Sequence, residues 1–348
     1  MTTYPVLGLA TWRRRVSRAF TLIELLTVVA IISLLIGILV PSLSAARNHA
    51  KNVRTRATLK SIGDGLEMFR GENEDEVRQT GGYPPSAWAE DETEPGQQRI
   101  FGAQWMVRYL VGKDLRGFVP RRNVPPDILA MGTEEGFHQK QWYDDPNSGY
   151  VSNIGRAGPY VQVDGLKLVQ PSKLPGAPKE GMFIDDRTMA QLVAVDSFGY
   201  PILYYAANVR LAERGRVLVG GVEREVPLAS FDGTNPGIYT MMDNGLFTGA
   251  CKGSACTYPP WDFQGVLGGT GQDTQGYYKL AKFGEFDPPD PNQVAADVHT
   301  FPYYILNRNA YEASGKRTVL PARKESYLLI TAGRDGNYGT RDDVTNFE

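Results

Sequence analysis

The sequence predicts an α+β protein in which one long N-terminal helix packs on a small antiparallel β-sheet set among long loops. Three observations predict it. Residues 20–40 form an apolar run of 21 residues broken by one charge. From Leu43 to Phe69 most apolar residues recur at steps of three or four, the period of an amphipathic helix. Beyond that, short apolar runs alternate with turn-rich stretches. Gly and Pro number 38 and 23 in 348 residues, above their usual share, so few long regular elements are expected after the helix.

The overall charge is nearly balanced. Lys plus Arg is 37, Asp plus Glu is 39, and the formal charge is −2. This argues against a basic nucleic-acid binder, and nucleic acid is not an expected partner. Three His and two Cys leave little room for a zinc site or an iron–sulfur cluster. The average hides an asymmetry. Residues 1–19 contain Arg13, Arg14, Arg15 and Arg18 and no acid; the rest of the chain, with 33 basic and 39 acidic side chains, has a net charge of −6.

The apolar run reads FTLIELLTVVAIISLLIGILV. As a helix it spans about 31 Å, which matches a hydrocarbon core of about 30 Å. Glu24 is its one charge, and Thr21, Thr27 and Ser33 are the other polar side chains. A soluble helix would show a polar face, and a secretory signal would be shorter with a small-residue cleavage site after it. A membrane-inserted segment is therefore expected. Arg47, Lys51, Arg54, Arg56 and Lys60 follow the run as closely as four Arg precede it, so the positive-inside count sets no orientation. A carboxylate in hydrocarbon costs roughly 2.5–3.5 kcal/mol at a helix centre and less near an end. Glu24 either reaches the headgroups or awaits a cation from a neighbour.

The same helix is expected to continue to about Phe69. Leu43, Ala46, Ala50, Val53, Ala57, Leu59, Ile62, Leu66 and Phe69 form one face. Arg47, Lys51, Arg54, Arg56, Lys60 and Glu67 form the other, either solvated or offered to lipid or a partner. Pro41 should kink the helix or loosen a turn. Gly63 and Gly65 should weaken its end, and GENEDEVRQTGGYPP should break it.

Further on, Ile100–Leu115 predicts a short helix with Ile100, Trp105 or Val107, Leu110 and Val111 inward. Residues 117–180 suggest small strands on long connections. Asp196-Ser-Phe-Gly-Tyr-Pro201 followed by ILYYAANV reads as a turn and then a strand. Near the C-terminus SYLLIT is a buried strand candidate, followed by a Gly-rich loop holding Asp335, Asp342 and Asp343. Such oxygen donors suit Ca2+. The loop is not an EF-hand, because positions six and twelve from Asp335 are Thr340 and Asn346, where Gly and Glu are required. An enzyme reading finds no H-E-x-x-H, G-x-S-x-G or P-loop motif. His49, His138 and His299 lack recognisable partners, and Asp144-Asp145 and Asp185-Asp186 are acidic pairs of the kind common in turns.

The stretch Arg13-Arg14-Arg15-Val16-Ser17-Arg18-Ala19-Phe20-Thr21-Leu22-Ile23-Glu24-Leu25-Leu26 resembles the N-terminus of the type IV prepilin and type II secretion pseudopilin superfamily. The resemblance implies a pilin-like fold and cleavage between Ala19 and Phe20 by prepilin peptidase, with N-methylation of Phe20. It also implies a cytoplasmic N-terminus and an exported head. Ala19 departs from the family, which usually has Gly there. Glu24 acquires an assembly role, pairing with the Phe20 amine of a neighbouring subunit. In low dielectric such a pair is strong and an unpaired charge is costly. The implied organisation is a cleaved leader over 1–19, a transmembrane half over 20–40, an amphipathic half over 41–70 and a periplasmic head over 71–348, with an insert at about 209–325.

Two further segments resemble the major pseudopilin: Asp196–Tyr205, and the C-terminal loop, where Asp335, Asp342 and Asp343 would be calcium ligands. The resemblance covers about residues 13–85, 190–207 and 326–346. Cys251 and Cys256 in the insert are expected to form a structural disulfide in an exported domain. The resemblance implies a structural subunit rather than an enzyme, in a type II secretion pseudopilus of the bacterial inner membrane and periplasm. Its implied partners are prepilin peptidase, other pseudopilin subunits, the inner-membrane assembly platform and membrane lipid. The alternative is a type IV minor pilin or a surface-fibre subunit for adhesion or DNA uptake.

Overall fold

A computed structural model describes residues 21–73, 77, 80–86, 100–112, 114–123, 155–174, 191–214, 216–219, 222–226, 228–230, 237–248, 301–315, 317–336, 338–339 and 342–347. The fold is α+β, a long N-terminal apolar helix with small, mainly antiparallel sheets. The chain divides into two compact units, Met1–Ala50 and Lys51–Glu348.

Helix α1 runs over Leu22–Asn73, straight through the position of Pro41. It is the one helix among the described residues long and apolar enough to cross a membrane. In the first unit all its residues are exposed except Asn48, which is partly so. A core helix of a soluble domain would bury such a run, and this one buries none of it. In the second unit α1 becomes one-sided. Thr55, Leu59, Ile62, Leu66 and Phe69 are buried, three or four residues apart. Residues 41–50 bury nothing, and burial along α1 begins after Ala50. The helix also outlasts its expected end. Asn73 Nδ2 donates to the Phe69 carbonyl (3.1 Å) and to the Tyr160 hydroxyl (2.7 Å), which ties down a turn that Gly71 alone would fray.

The central sheet has three strands in the order β3-β8-β9, all antiparallel: β3 (Leu203–Ala206), β8 (Tyr327–Thr331) and β9 (Val344–Thr345). The register pairs Leu203 with Ile330 and Ala206 with Tyr327. Two-stranded pairs surround it. They are β1 (Lys167–Val169) with β2 (Val193–Val195), β4 (Arg216–Val219) with β5 (Val222–Glu225), and the parallel pair β6 (Ala229–Ser230) with β7 (Tyr239–Thr240).

Alternation along the strands divides the core in two. Tyr204, Ala206, Tyr327 and Leu329 face a cluster that contains Leu59, Ile62, Leu66 and Phe69 of α1. Leu203, Tyr205, Leu328 and Ile330 face a second cluster with Ile238, Tyr239, Met241, Phe247, Phe301, Tyr304 and Ile305. Both faces of β3 and β8 are covered, so each strand is buried throughout. The second cover comes from within the stretch expected to be an insert decorating the sheet. Its described flanks are core.

Helix α2 (Gly102–Val111) shows a second difference. One inward face was expected, and all ten residues are buried, Gln104 and Arg108 included. Gln104 accepts the Phe101 amide at 3.1 Å, capping the helix from its third position. The amide of Ala103 donates to Asn244 Oδ1 (2.9 Å), and Asn244 Nδ2 donates to the Tyr204 carbonyl (2.7 Å). Ser86 Oγ donates to Asp243 Oδ2 (2.6 Å) and accepts the Ala206 amide (2.8 Å). A buried polar knot thus joins α2, β3 and the Asp243-Asn244 turn.

Candidate functional site

Glu24 lies in the first turn of α1. The Thr21 amide donates to Glu24 Oε2 at 2.8 Å and the Thr21 hydroxyl at 2.7 Å, while the Glu24 amide donates to Thr21 Oγ1 at 3.3 Å. This is a reciprocal capping box. A lone carboxylate in the apolar run thus has donors within its own chain. Thr21 is thus the capping partner of Glu24, and Thr-Leu-Ile-Glu is itself the T-x-x-E signature of such a cap.

The lower half of α1 is fastened to the head by aromatic and polar contacts. Phe69 meets Tyr109 and Tyr160 edge-on, with centroids 5.4 and 5.5 Å apart. The Tyr83 hydroxyl donates to Glu67 Oε1 at 2.9 Å and accepts from Arg70 Nη1 at 3.1 Å. The Tyr160 hydroxyl donates to Glu72 Oε2 at 2.8 Å. Burial, and then the Glu72 carboxylate, push the Tyr160 hydroxyl up to about 12. Gly63 and Gly65 are places of close approach rather than weak points. A Cβ at Gly65 would overlap Val161 Cγ2 and stand 3.0 Å from the Tyr160 carbonyl oxygen, and one at Gly63 would stand 3.1 Å from the Tyr327 hydroxyl.

The turn Asp196–Tyr200 sits against the same helix. Asp196 Oδ1 accepts the amides of Phe198 (2.8 Å), Gly199 (2.7 Å) and Tyr200 (2.9 Å). The Ser197 amide donates to Thr55 Oγ1 at 3.2 Å, and Lys51 Nζ lies 5.0 Å from the centre of the Phe198 ring. Gly199 has φ +103°, a conformation that disfavours a side chain. Burial raises the Asp196 carboxyl above its ordinary range, and the three amides oppose this only in part. Its Oδ2 is buried and has no hydrogen-bond partner among the described residues.

The C-terminal acidic loop is ordered by its own amides. Asp342 Oδ2 accepts the amides of Arg334 (2.7 Å) and Asp335 (2.9 Å). Asp343 Oδ2 accepts the Tyr304 hydroxyl and the Gly339 amide, each at 2.6 Å. The Tyr338 hydroxyl donates to the Pro201 carbonyl at 2.7 Å. A Cβ at Gly333, where φ is +60°, would collide with the Asp342 carbonyl. Two of the three candidate calcium ligands therefore already serve as acceptors that shape the loop. Among the described residues, no group of three or more His, Cys, Asp or Glu is placed to hold a metal ion.

Ala19, Phe20, Cys251 and Cys256 lie outside the described residues. No curated protein and no solved structure matches the chain. Residues 14–40 match the family model described as the prokaryotic N-terminal methylation motif. The match covers Arg14, Arg15 and Arg18 and the apolar run through Val40, so the chain carries the N-terminal motif of type IV prepilin-like proteins.

Proposed function

We propose that this chain is a structural subunit of a type II secretion-type pseudopilus, processed by prepilin peptidase and assembled through α1. The observation that carries the reading is the methylation motif over residues 14–40, joined in one helix to an amphipathic half that carries its own head. Among the described residues, none covers the apolar run of α1. Membrane and then fibre core supply a cover in turn. Prepilin peptidase would cut between Ala19 and Phe20 at the cytoplasmic face, leaving the head in the periplasm. The subunit would then join other pseudopilins, of its own or another kind, through the inner-membrane assembly platform.

The choice of a pseudopilus over a surface pilus rests on the sequence resemblance of Asp196–Tyr205 and of the acidic loop to the major pseudopilin. Calcium belongs to the same proposal. In the loop as it stands, Asp342 would have to share or exchange its amide donors to serve as a ligand.

Mass spectrometry of the membrane-bound protein tests the processing step, with N-methylated Phe20 as the expected new N-terminus. An intact Met1 start there removes the prepilin reading. Deletion of the gene tests the system: loss of protein secretion is expected. Intact secretion with loss of motility or DNA uptake moves the chain to a type IV minor pilin.

A further inference from the structure

The charges along α1 are sorted by sign. Between Glu24 and Asp64 no acidic residue occurs. In the second unit Lys51, Arg54, Arg56 and Lys60 come first, and Asp64, Glu67 and Glu72 follow, with Arg70 among them. All are exposed. At 3.6 residues per turn, Lys60 and Asp64 lie on the side of the helix turned away from the buried row Leu59, Ile62, Leu66 and Phe69, with Arg56 and Glu67 on one flank of that side. Among the described residues, the side chains of Arg56, Lys60 and Asp64 make no hydrogen bond or ion pair, whereas Glu67 holds Tyr83. Two apolar side chains share this outer face, Val53 (54% exposed) and Met68 (56% exposed).

We propose that this face is a charge ladder for a second copy of the chain, an inference that rests on the reading of the protein as a fibre subunit. The copy lies parallel and is displaced toward the C-terminal end of α1. Arg56 and Lys60 of the displaced copy then stand level with Asp64 and Glu67 of the first. The displacement is seven or eight residues, about 11 Å of helical rise. Pairing Glu24 with the Phe20 amine of a neighbour requires a displacement of four residues, about 6 Å, in the same sense. The difference of about 5 Å is within reach of the flexible Lys and Arg stems. One neighbour can therefore satisfy both contacts, and Val53 and Met68 add apolar area beside them. Glu24 alone would set one point of register. The ladder sets a second on the head side of the helix.

Anionic lipid is the competing occupant and fits less well. Arg54 and Lys60 follow Val40 by about 21–30 Å of helix, well beyond a screening length of about 10 Å. Asp64 and Glu67 beside them would be repelled by anionic headgroups. Copies that leave one membrane in one orientation are parallel, and the sorted order of charges suits a parallel, staggered pair.

The test is a charge swap in the full-length protein, expressed in cells lacking the native gene. Arg56 and Asp64 are eight residues apart, too far to touch within one helix, so a swap between them reads contacts between copies. Arg56→Glu and Asp64→Arg should each lower the yield of sheared fibres roughly fivefold or more, since a weak contact repeats at every subunit. The double variant should restore it. The melting temperature of the detergent-solubilised protein should stay unchanged in all three. Single variants that assemble like the wild type overturn the ladder and leave the subunit reading in place. So does a double variant that stays defective with an unchanged melting temperature. Loss of binding to phosphatidylglycerol–phosphatidylcholine vesicles in Arg56→Glu, with normal assembly in Asp64→Arg, assigns the face to lipid and overturns the proposal. A wild-type protein that enters no fibre overturns the subunit reading itself.

Discussion

The Tyr160 hydroxyl donates to Glu72 Oε2 at 2.8 Å and accepts from Asn73 Nδ2 at 2.7 Å. One phenol thus holds the last turn of a 52-residue helix by a carboxylate and an amide together. The Tyr160 ring meanwhile packs edge-on against Phe69.

Tyr160→Phe keeps that ring contact and removes both hydrogen bonds. A loss of about 1–2 kcal/mol is expected, measured by chemical denaturation of the detergent-solubilised protein. The pH dependence has a definite sign. An unfolded phenol titrates near 10, and the folded one is raised to about 12. Folding therefore favours the protonated form. Its contribution is fully present below about pH 10 and is lost as pH rises through about 12. The wild-type advantage over Tyr160→Phe should shrink across that window. An advantage that is constant from pH 8 to pH 12 would show that the hydroxyl is not what holds the turn.

Gly65 and Gly71 lie on one helix and should respond in opposite directions. Gly65→Ala forces a methyl group into Val161 and the Tyr160 carbonyl, and about 1–3 kcal/mol of destabilisation is expected. Nothing stands within 4 Å of a Cβ at Gly71. There the higher helix propensity of Ala should be neutral or stabilise by up to about 1 kcal/mol. Paired thermal melts check this, and equal effects at both sites would refute the packing role of Gly65.

Asp196 separates hydrogen bonding from charge. Asp196→Ala strands three amides and should cost about 2–3 kcal/mol. Asp196→Asn keeps an acceptor oxygen and removes a buried charge, so it should cost far less at neutral pH. Burial raises the folded carboxyl above its unfolded value, so protonation favours the fold. Wild-type stability should therefore gain on that of Asp196→Asn as pH falls through the raised value toward the ordinary carboxylate range. Denaturation midpoints at about pH 4.5 and about pH 7.5 provide the comparison. A deficit in Asp196→Asn as large as that in Asp196→Ala at neutral pH counts against the argument.

Calcium at about tenfold over its dissociation constant should add about 1.4 kcal/mol to stability and raise the melting temperature. Asp342→Asn should abolish the rise. A wild-type melting temperature that does not move with calcium removes the ion from the proposal and leaves the loop to its amides.

Glu24→Leu should insert in the membrane normally and fail to enter fibres. Membrane fractionation and fibre shearing provide the two readouts. Normal incorporation would remove Glu24 from assembly.

The helix was legible because its signals are local and redundant. The apolar run announces Leu22–Val40, and the steps among Leu59, Ile62, Leu66 and Phe69 announce the buried face. SYLLIT and ILYYAANV were legible as strands for a similar reason, since short apolar runs beside turn residues have few other uses. What was not legible depends on distant partners. Gln104 and Arg108 lie outside the inward set that the sequence of Ile100–Leu115 suggests, and tertiary packing covers them. Gly63 and Gly65 read as defects until Tyr327 and Val161 are brought against them. Ser86, Asp243 and Asn244 carry no motif, and they meet only because β3 runs between α2 and the Asp243-Asn244 turn. Of the capping pair, Glu24 stands out in the sequence as an anomaly and Thr21 does not, although the cap joining them is written in four consecutive letters.

The sheet is closed by a strand near the end of the chain. Tyr327 pairs with Ala206 and packs its ring 4.9 Å from that of Tyr83, while its hydroxyl lies 3.4 Å from the Gly63 carbonyl oxygen. β8 joins β3 from far along the chain, so the sheet cannot form from neighbouring segments alone. Long-range pairing of this kind forms late. A chain in which β8 has not yet paired presents an unfinished seat for α1. Such a chain exposes unpaired strand edges of the kind that invite aggregation and proteolysis. The head is thus completed by its most distant pairing rather than by its longest helix.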